Sequence, residues 1–170
     1  MPEPRLAVCM IGAIGSGKTE IATRLAAEHT MAYISPDAMM RRHDYKERIT
    51  AWSATVAHEY LAVKMGLSFV LDTASRVLIA RQEMTSVIRA WDAGTPDYDF
   101  KVVGVYVTAP LKDCLARNAG RDQPVPEDQV RAYWAALDEL PPQCEDGFDV
   151  IYHVPNGPDV ELAQIVLPTL

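Results

Sequence analysis

Leu6-Ala7-Val8-Cys9-Met10-Ile11-Gly12-Ala13-Ile14-Gly15-Ser16-Gly17-Lys18-Thr19 is the stretch that decides the fold of this 170-residue chain. Its last eight residues match G-x-x-x-x-G-K-[ST] at every fixed position, and each residue type has a mechanical reason to be there. Glycines let the backbone turn tightly and bring its N–H groups against phosphate oxygens. A lysine at the position of Lys18 reaches β- and γ-phosphates, and a hydroxyl at the position of Thr19 ligates Mg²⁺. The six apolar residues before the loop suit a buried parallel strand. After it, Ile21, Ala22, Leu25 and Ala26 recur at helical spacing. Strand, glycine loop and helix in that order place a helix N-terminus under an anion, so Gly12, Ala13, Ile14, Gly15, Ser16, Gly17, Lys18 and Thr19 form the expected nucleotide-binding loop.

Outward from this loop the chain alternates strands and helices. Residues 32–35 read as a second strand and 68–72 as a third that ends in Asp72. Residues 49–64 read as a helix with Trp52, Val56, Tyr60 and Val63 on one side, expected to pack in the core. A helix over 76–91, a loop over 92–99 with Gly94 and Pro96, and a valine-rich strand over 101–108 follow. Pro110 suits a helix start, and the helical character runs to Ala119. A polar loop spans 122–126, a helix 127–137 stopped by Pro141-Pro142, a last strand 148–154 and a closing helix 160–166. This alternation predicts one α/β domain over residues 1–170, with a parallel sheet of about five strands, right-handed crossovers and a helical lid near 111–138.

Composition sets the outer bounds. Hydrophobic residues make up 49% and charged residues 23% of the chain, as in globular domains. No apolar run is long enough to span a membrane, and Met1-Pro2-Glu3-Pro4-Arg5 carries no signal-peptide pattern. Cys9, Cys114 and Cys144 are odd in number and widely spaced, so neither a disulfide framework nor a zinc site is expected; a reducing cytoplasm is. The four histidines show no ligand spacing. A net charge of −7 argues against broad non-specific nucleic-acid binding but not against a local basic groove.

Such a groove has a candidate. Arg41, Arg42, His43, Lys46 and Arg48 fall within eight positions just after the second strand, at the expected rim of the site. They form either an anion-binding surface for a phosphorylated acceptor or a solvated helix face paired locally with Asp44 and Glu47. Asp37, beyond the second strand, and Asp72, ending the third, both fall at the carboxyl edge of the sheet. A kinase needs a carboxylate to orient and deprotonate the acceptor hydroxyl and a network that holds Mg²⁺. Asp37 suits the first task and Asp72, with Thr19, the second, although Ser-Pro-Asp is also a common helix start and Asp72 could be a strand-end turn residue. Arg117 and Arg121 are four apart, expected on one helix face. From there they either close over a γ-phosphate or neutralise acidic neighbours.

The order of these elements resembles a family. A phosphate loop, a strand followed by Ser35-x-Asp37, then Leu71-Asp72-Thr73, Cys114-x-x-Arg117-x-x-x-Arg121 and Gly147-Phe148-Asp149 look like the kinase domain of bacteriophage-type 5′-polynucleotide kinases, a branch of the P-loop kinases. The resemblance runs from Val8 to about Val154. It implies that Lys18 and Thr19 hold phosphates and magnesium, that Asp37 is the general base, that Asp72 supports the site, and that Arg121 and Arg117 come from a lid over the phosphates; Arg41, Arg42, Asp72 and Thr73 are the residues expected on the acceptor side. One departure stands out: where the family often has an acceptor-binding arginine three residues after the base, this chain has Met40. The resemblance implies ATP (or GTP) and Mg²⁺ as cofactors and a nucleic-acid substrate, most simply a 5′-hydroxyl end of DNA or RNA, in a protein at work in the cytoplasm, phage-encoded and acting in the host's. A hydroxymethyl pyrimidine base such as 5-hydroxymethyluracil in phage DNA is the alternative acceptor, and a nucleoside or small metabolite a further one. A nucleotide-binding switch would need no acceptor base, so Asp37 and the arginine pair argue against it.

Overall fold

Strand β1 (Glu3–Gly12) runs through the middle of the molecule, and its two faces feed two separate cores. In this computed structural model, which describes residues 2–44 and 46–156, residues 7, 9 and 11 of β1 join one apolar cluster while Leu6, Val8 and Met10 join the other. This is the period-two geometry of a strand covered on both sides. The expected helix over 160–166 lies outside the described residues.

Helix α1 (Lys18–Glu28) follows the phosphate loop and buries Ile21, Ala22, Leu25 and Ala26, the four residues whose spacing predicts it. Then come β2 (Ala32–Ile34), α2 (Pro36–His43), α3 (Arg48–Lys64), β3 (Phe69–Asp72), α4 (Leu78–Ala93), β4 (Tyr98–Thr108), α5 (Leu111–Ala119), α6 (Glu127–Glu139), a 3₁₀ turn over Cys144–Asp146, and β5 (Val150–Pro155). The sheet has five strands in the order β2-β3-β1-β4-β5, all parallel. Val8 pairs with Val70 on one side and Val103 on the other, so the ends of β1, β3 and β4 converge around the phosphate loop. Helix α1 packs on the Val8 face, and residues of α3, α4, α5 and α6 pack on the Cys9 face.

Several expected boundaries move, each for a local reason. Strand β4 starts at Tyr98 because β1 begins at Glu3 and pairs with it there, inside the expected loop. Helix α4 starts at Leu78, not Arg76; Ser75 takes a left-handed φ of 41° just before it. The larger correction concerns α3. Its buried residues are Ala51, Thr55, Glu59, Ala62 and Val63. Trp52 and Tyr60 are 47% and 43% exposed, so of the stripe expected in the core only Val63 is fully buried. Small Ala51 and Ala62 let the helix approach the sheet closely, and Thr55 satisfies its hydroxyl on the carbonyl of Ala51 at 2.8 Å. The large side chains turn outward, with Tyr60 edge-on to Trp91 at 5.4 Å.

Buried polar ties position the far side of the sheet. Arg81 of α4 is fully buried and donates through Nε to Asp146 at 2.5 Å. Its other nitrogens reach the carbonyls of Arg76 and Leu140 at 3.2 and 3.3 Å. One guanidinium therefore ties the loop after β3, the end of α6 and the turn before β5 together. Breaking such a pair by removing one partner leaves a buried charge and costs about 3–5 kcal/mol.

Candidate active site

The phosphate loop is held from outside by two side chains. Arg117 of α5 donates from Nη1 to the carbonyls of Gly15 and Ser16 at 3.2 and 3.4 Å. Asn156, just past β5, donates from Nδ2 to the same Ser16 carbonyl at 2.8 Å, while its backbone N–H bonds Thr108. Because a trans peptide points its C=O and N–H in opposite directions, this arrangement turns the N–H of Gly17 away from Arg117 and toward the loop interior. Gly15 and Gly17 have φ of 80° and 95°, and a Cβ on Gly15 would run into the Cys114 backbone. Both positions require glycine for conformation, Gly15 also for the close approach of α5 and Gly17 for that of the Asn156 side chain.

At the head of α1, Thr19 Oγ1 donates to Asp72 Oδ2 at 2.8 Å, and the Tyr33 hydroxyl donates to the same oxygen at 2.8 Å. Asp72 is 8% exposed. The Tyr33 phenol is pushed up to about 12, first by burial and then by the Asp72 charge, which keeps it a donor. Lys18 folds back over the loop, its Nζ 2.8 Å from the Ala13 carbonyl. Loss of hydration lowers the ammonium to about 8, opposed by the Asp72 charge and reinforced by Arg121. It is half-buried. Thr19 and Asp72 form a hard oxygen pair that fits Mg²⁺. Among the described residues no three His, Cys, Asp or Glu side chains are grouped to hold a metal ion. The metal would therefore draw its remaining ligands from phosphate and water, as Mg²⁺ usually does.

Lys18, Thr19 and Asp72 open into a cleft of about 540 Å³, whose lining also includes Asp37, Thr73 and Arg121. Ser35, not Asp37, caps α2, accepting from the Ala38 N–H at 3.4 Å. Asp37 is thus left free of the capping role and exposed at the cleft, 3.6 Å from Arg48. Arg48 lines the cleft; Arg41 and Arg42 do not. Those two sit exposed on the last turn of α2, a favourable place for cations at a helix C-terminus.

The expected arginine pair separates. Helix α5 ends at Ala119 with Gly120 as its cap, so Arg121 lies past the helix and does not share a face with Arg117. Arg121 faces the cleft, whereas Arg117 grips the loop's carbonyls and is absent from the cleft lining. The turn between α5 and α6 is fixed by buried Asn118, which bonds both backbone groups of Val125. Arg76 stacks over the Tyr133 ring at 4.0 Å, joining the loop after β3 to α6 across the cleft wall.

Sequence reasoning misses Asn156, Arg76, Tyr133 and Glu59. Asn156 is 140 residues from the loop it supports, and no local pattern marks it. Glu59, 5% exposed, lines the cleft from the buried side of α3. Its one available signal is a lone carboxylate at a core position of a helix.

The AAA domain family profile matches residues 8–140. No curated protein matches the chain. Among solved structures, a putative kinase from Chloroflexus aurantiacus J-10-fl is similar at a TM-score of 0.67 and 16% identity, over 91% of this chain and 86% of that one. A fungal RNA kinase gives 0.63 and 18%, over 93% and 78%. A shikimate kinase from Acinetobacter baumannii, in complex with shikimate, gives 0.51 and 17%, over 86% and 82%. With the family profile matched over residues 8–140, a phosphate loop and a parallel five-stranded sheet, the chain belongs to the AAA domain family and has the P-loop kinase fold.

Proposed function

We propose that this protein is an ATP- or GTP-dependent kinase that moves the γ-phosphate to a hydroxyl on nucleic acid, most simply a 5′-hydroxyl end. The observation that carries the reading is the joint lining of one cleft by Lys18, Thr19, Asp72 and Arg121 on the phosphate side and Asp37 on the other. A nucleotide switch has no use for the last of these. Asp37 takes the proton of the acceptor hydroxyl as its oxygen attacks the γ-phosphorus and the bond to the β-phosphate oxygen breaks. Lys18 and Arg121 meet the charge that develops on the transferring group. Arg117 and Asn156 keep the loop in the shape that presents its N–H groups. Thr19 and Asp72 would hold Mg²⁺, which supplies charge neutralisation on the phosphates.

The likeness to a fungal RNA kinase and the basic last turn of α2, the helix whose first residues line the cleft, support a nucleic-acid acceptor. A second reading, transfer to the hydroxymethyl group of a modified pyrimidine such as 5-hydroxymethyluracil in DNA, is favoured by one feature: apolar side chains of α3 and α4, among them Trp52, Val56, Met84 and Val87, line the same cleft. A nucleoside or small-metabolite kinase is the third. Transfer of labelled γ-phosphate to 5′-hydroxyl DNA, 5′-hydroxyl RNA, hydroxymethyluracil DNA and free nucleosides separates them. Label on an oligonucleotide is the expected result; label on free nucleosides alone, or on none, contradicts the reading.

A further inference from the structure

The cleft holds a carboxyl that phosphoryl transfer does not use. Glu59 sits on the buried side of α3, 5% exposed, and among the described residues no cation or hydrogen-bond donor pairs with it. Buried carboxylates are rare unless paired, because an unpaired one loses its hydration without return. An unpaired carboxyl that opens only into a substrate cleft points to a partner that arrives with the substrate.

The walls around it describe that partner. The cleft that Glu59 lines takes its apolar surface from Trp52 and Val56 of α3, Met84 and Val87 of α4 and Leu71 of β3, with Glu83 of α4 also in its lining. Four of these are aliphatic or thioether surfaces, and Trp52, half exposed, offers a flat aromatic face. A flat heterocycle with apolar faces and N–H groups on one edge satisfies such a recess. A polyol does not, because its hydroxyls point in all directions and would go unpaired against the apolar walls.

We propose that the recess between α3 and α4 is the pocket for the base of the acceptor nucleotide, and that Glu59 is the specificity-determining residue that reads the base's hydrogen-bonding edge. The inference rests on the nucleic-acid reading above and deepens it: the nucleotide whose base enters the recess presents its hydroxyl toward Asp37 in the same cleft. Burial pushes the Glu59 carboxyl up to about 7. The protonated form then donates one hydrogen bond and accepts another, as an amide or amidine edge of a base requires.

Two measurements test this. In the first, thymidine and cytidine are titrated against the intrinsic fluorescence of the parent, Trp52→Phe, Glu59→Leu and Glu59→Gln. Saturable quenching is expected in the parent and lost in Trp52→Phe, with a dissociation constant raised about 10-fold or more in Glu59→Leu and partly restored in Glu59→Gln. In the second, KM is measured for a 5′-hydroxyl oligonucleotide and for the same strand with an abasic terminal nucleotide. The parent is expected to prefer the intact strand by a similar factor and Glu59→Leu to treat both alike, with the nucleotide KM unchanged. If Glu59→Leu does not fold, Glu59→Gln alone carries both comparisons. Absent quenching, quenching indifferent to Glu59, or equal KM for intact and abasic strands in the parent would overturn the proposal. Glu59-dependent quenching without phosphate transfer to any nucleic acid would leave the base pocket standing and remove the nucleic-acid kinase reading. Transfer without Glu59 dependence would do the reverse.

Discussion

At the scale of the residue, the charges in the cleft divide into those that follow the phosphate and those that shape its cradle. Lys18 belongs to the first group. Lys18→Ala should depress turnover by on the order of 10²-fold or more, and a circular dichroism melt should show the fold intact, since the lysine's hydrogen bond to Ala13 is to a loop carbonyl. Arg121 and Arg117 fall on opposite sides of the division. Arg121→Ala should lower kcat about 10-fold or more with little change in nucleotide KM. Arg117→Ala should instead weaken nucleotide binding and lower the melting temperature, because it frees the carbonyls of Gly15 and Ser16. Steady-state kinetics on both variants separates these outcomes; identical kcat losses would return Arg117 to the lid. The sequence shows both arginines but not this difference, because the i, i+4 rule holds only while the helix lasts and Gly120 ends it.

Glu59 makes a second claim at this scale. Its carboxyl ionises at about 7 in the folded protein against an ordinary 4.5, and burial is the cause. The unfolded chain therefore releases this proton first. The contribution of Glu59 to stability falls as pH rises from about 4.5 to 7 and is level above that. The gap corresponds to on the order of 3 kcal/mol. The Cys9 thiol of β1 is itself pushed up, by burial first and then by the Glu59 charge. The other charged groups of the cleft, Lys18, Asp37, Arg48, Asp72, Arg76, Glu83 and Arg121, line the same space. Urea melts of the ligand-free protein should show Glu59→Gln gaining stability over the parent at pH 8 and losing that advantage near pH 4.5. A difference independent of pH would contradict a buried, unpaired carboxyl.

At the scale of the element, legibility depended on whether a helix's apolar period coincided with its buried face. It did in α1, where Ile21, Ala22, Leu25 and Ala26 are all buried. It did not in α3, where packing against the sheet selected small residues and turned Trp52 toward the cleft. Hydrophobicity alone cannot register that choice, since Thr55 and Glu59 count as polar. Helix α2 offers the test of the basic cluster. Its last turn carries Arg41 and Arg42 outside the cleft lining, where they suit the backbone of a long acceptor better than the reacting nucleotide. Reversing both charges should raise the KM of an oligonucleotide and flatten its salt dependence, while a free nucleoside responds little. Equal KM and equal salt slope in parent and variant would make the turn an ordinary solvated helix end.

At the scale of the whole molecule, the alternation of strands and helices was sufficient to expect a parallel α/β sheet. The spatial order β2-β3-β1-β4-β5 arises from pairings such as Val8 with Val70 and Val103, far apart in the chain. Local patterns carry no information about such partners. The same distance hides Asn156 behind the phosphate loop and the Arg81–Asp146 tie behind the cleft. What the sequence did mark, Lys18, Thr19, Asp37, Asp72 and Arg121, the fold gathers around one cleft. The claim that this cleft passes phosphate to a nucleic-acid hydroxyl is tested most directly by one comparison. Labelled γ-phosphate transfer to a 5′-hydroxyl oligonucleotide is measured for the parent and for Asp37→Asn, alongside nucleotide affinity. The account predicts transfer by the parent, a fall of on the order of 10²-fold or more in Asp37→Asn, and nearly unchanged nucleotide binding. Transfer by Asp37→Asn at the parent's rate, or no transfer by the parent itself, would contradict it.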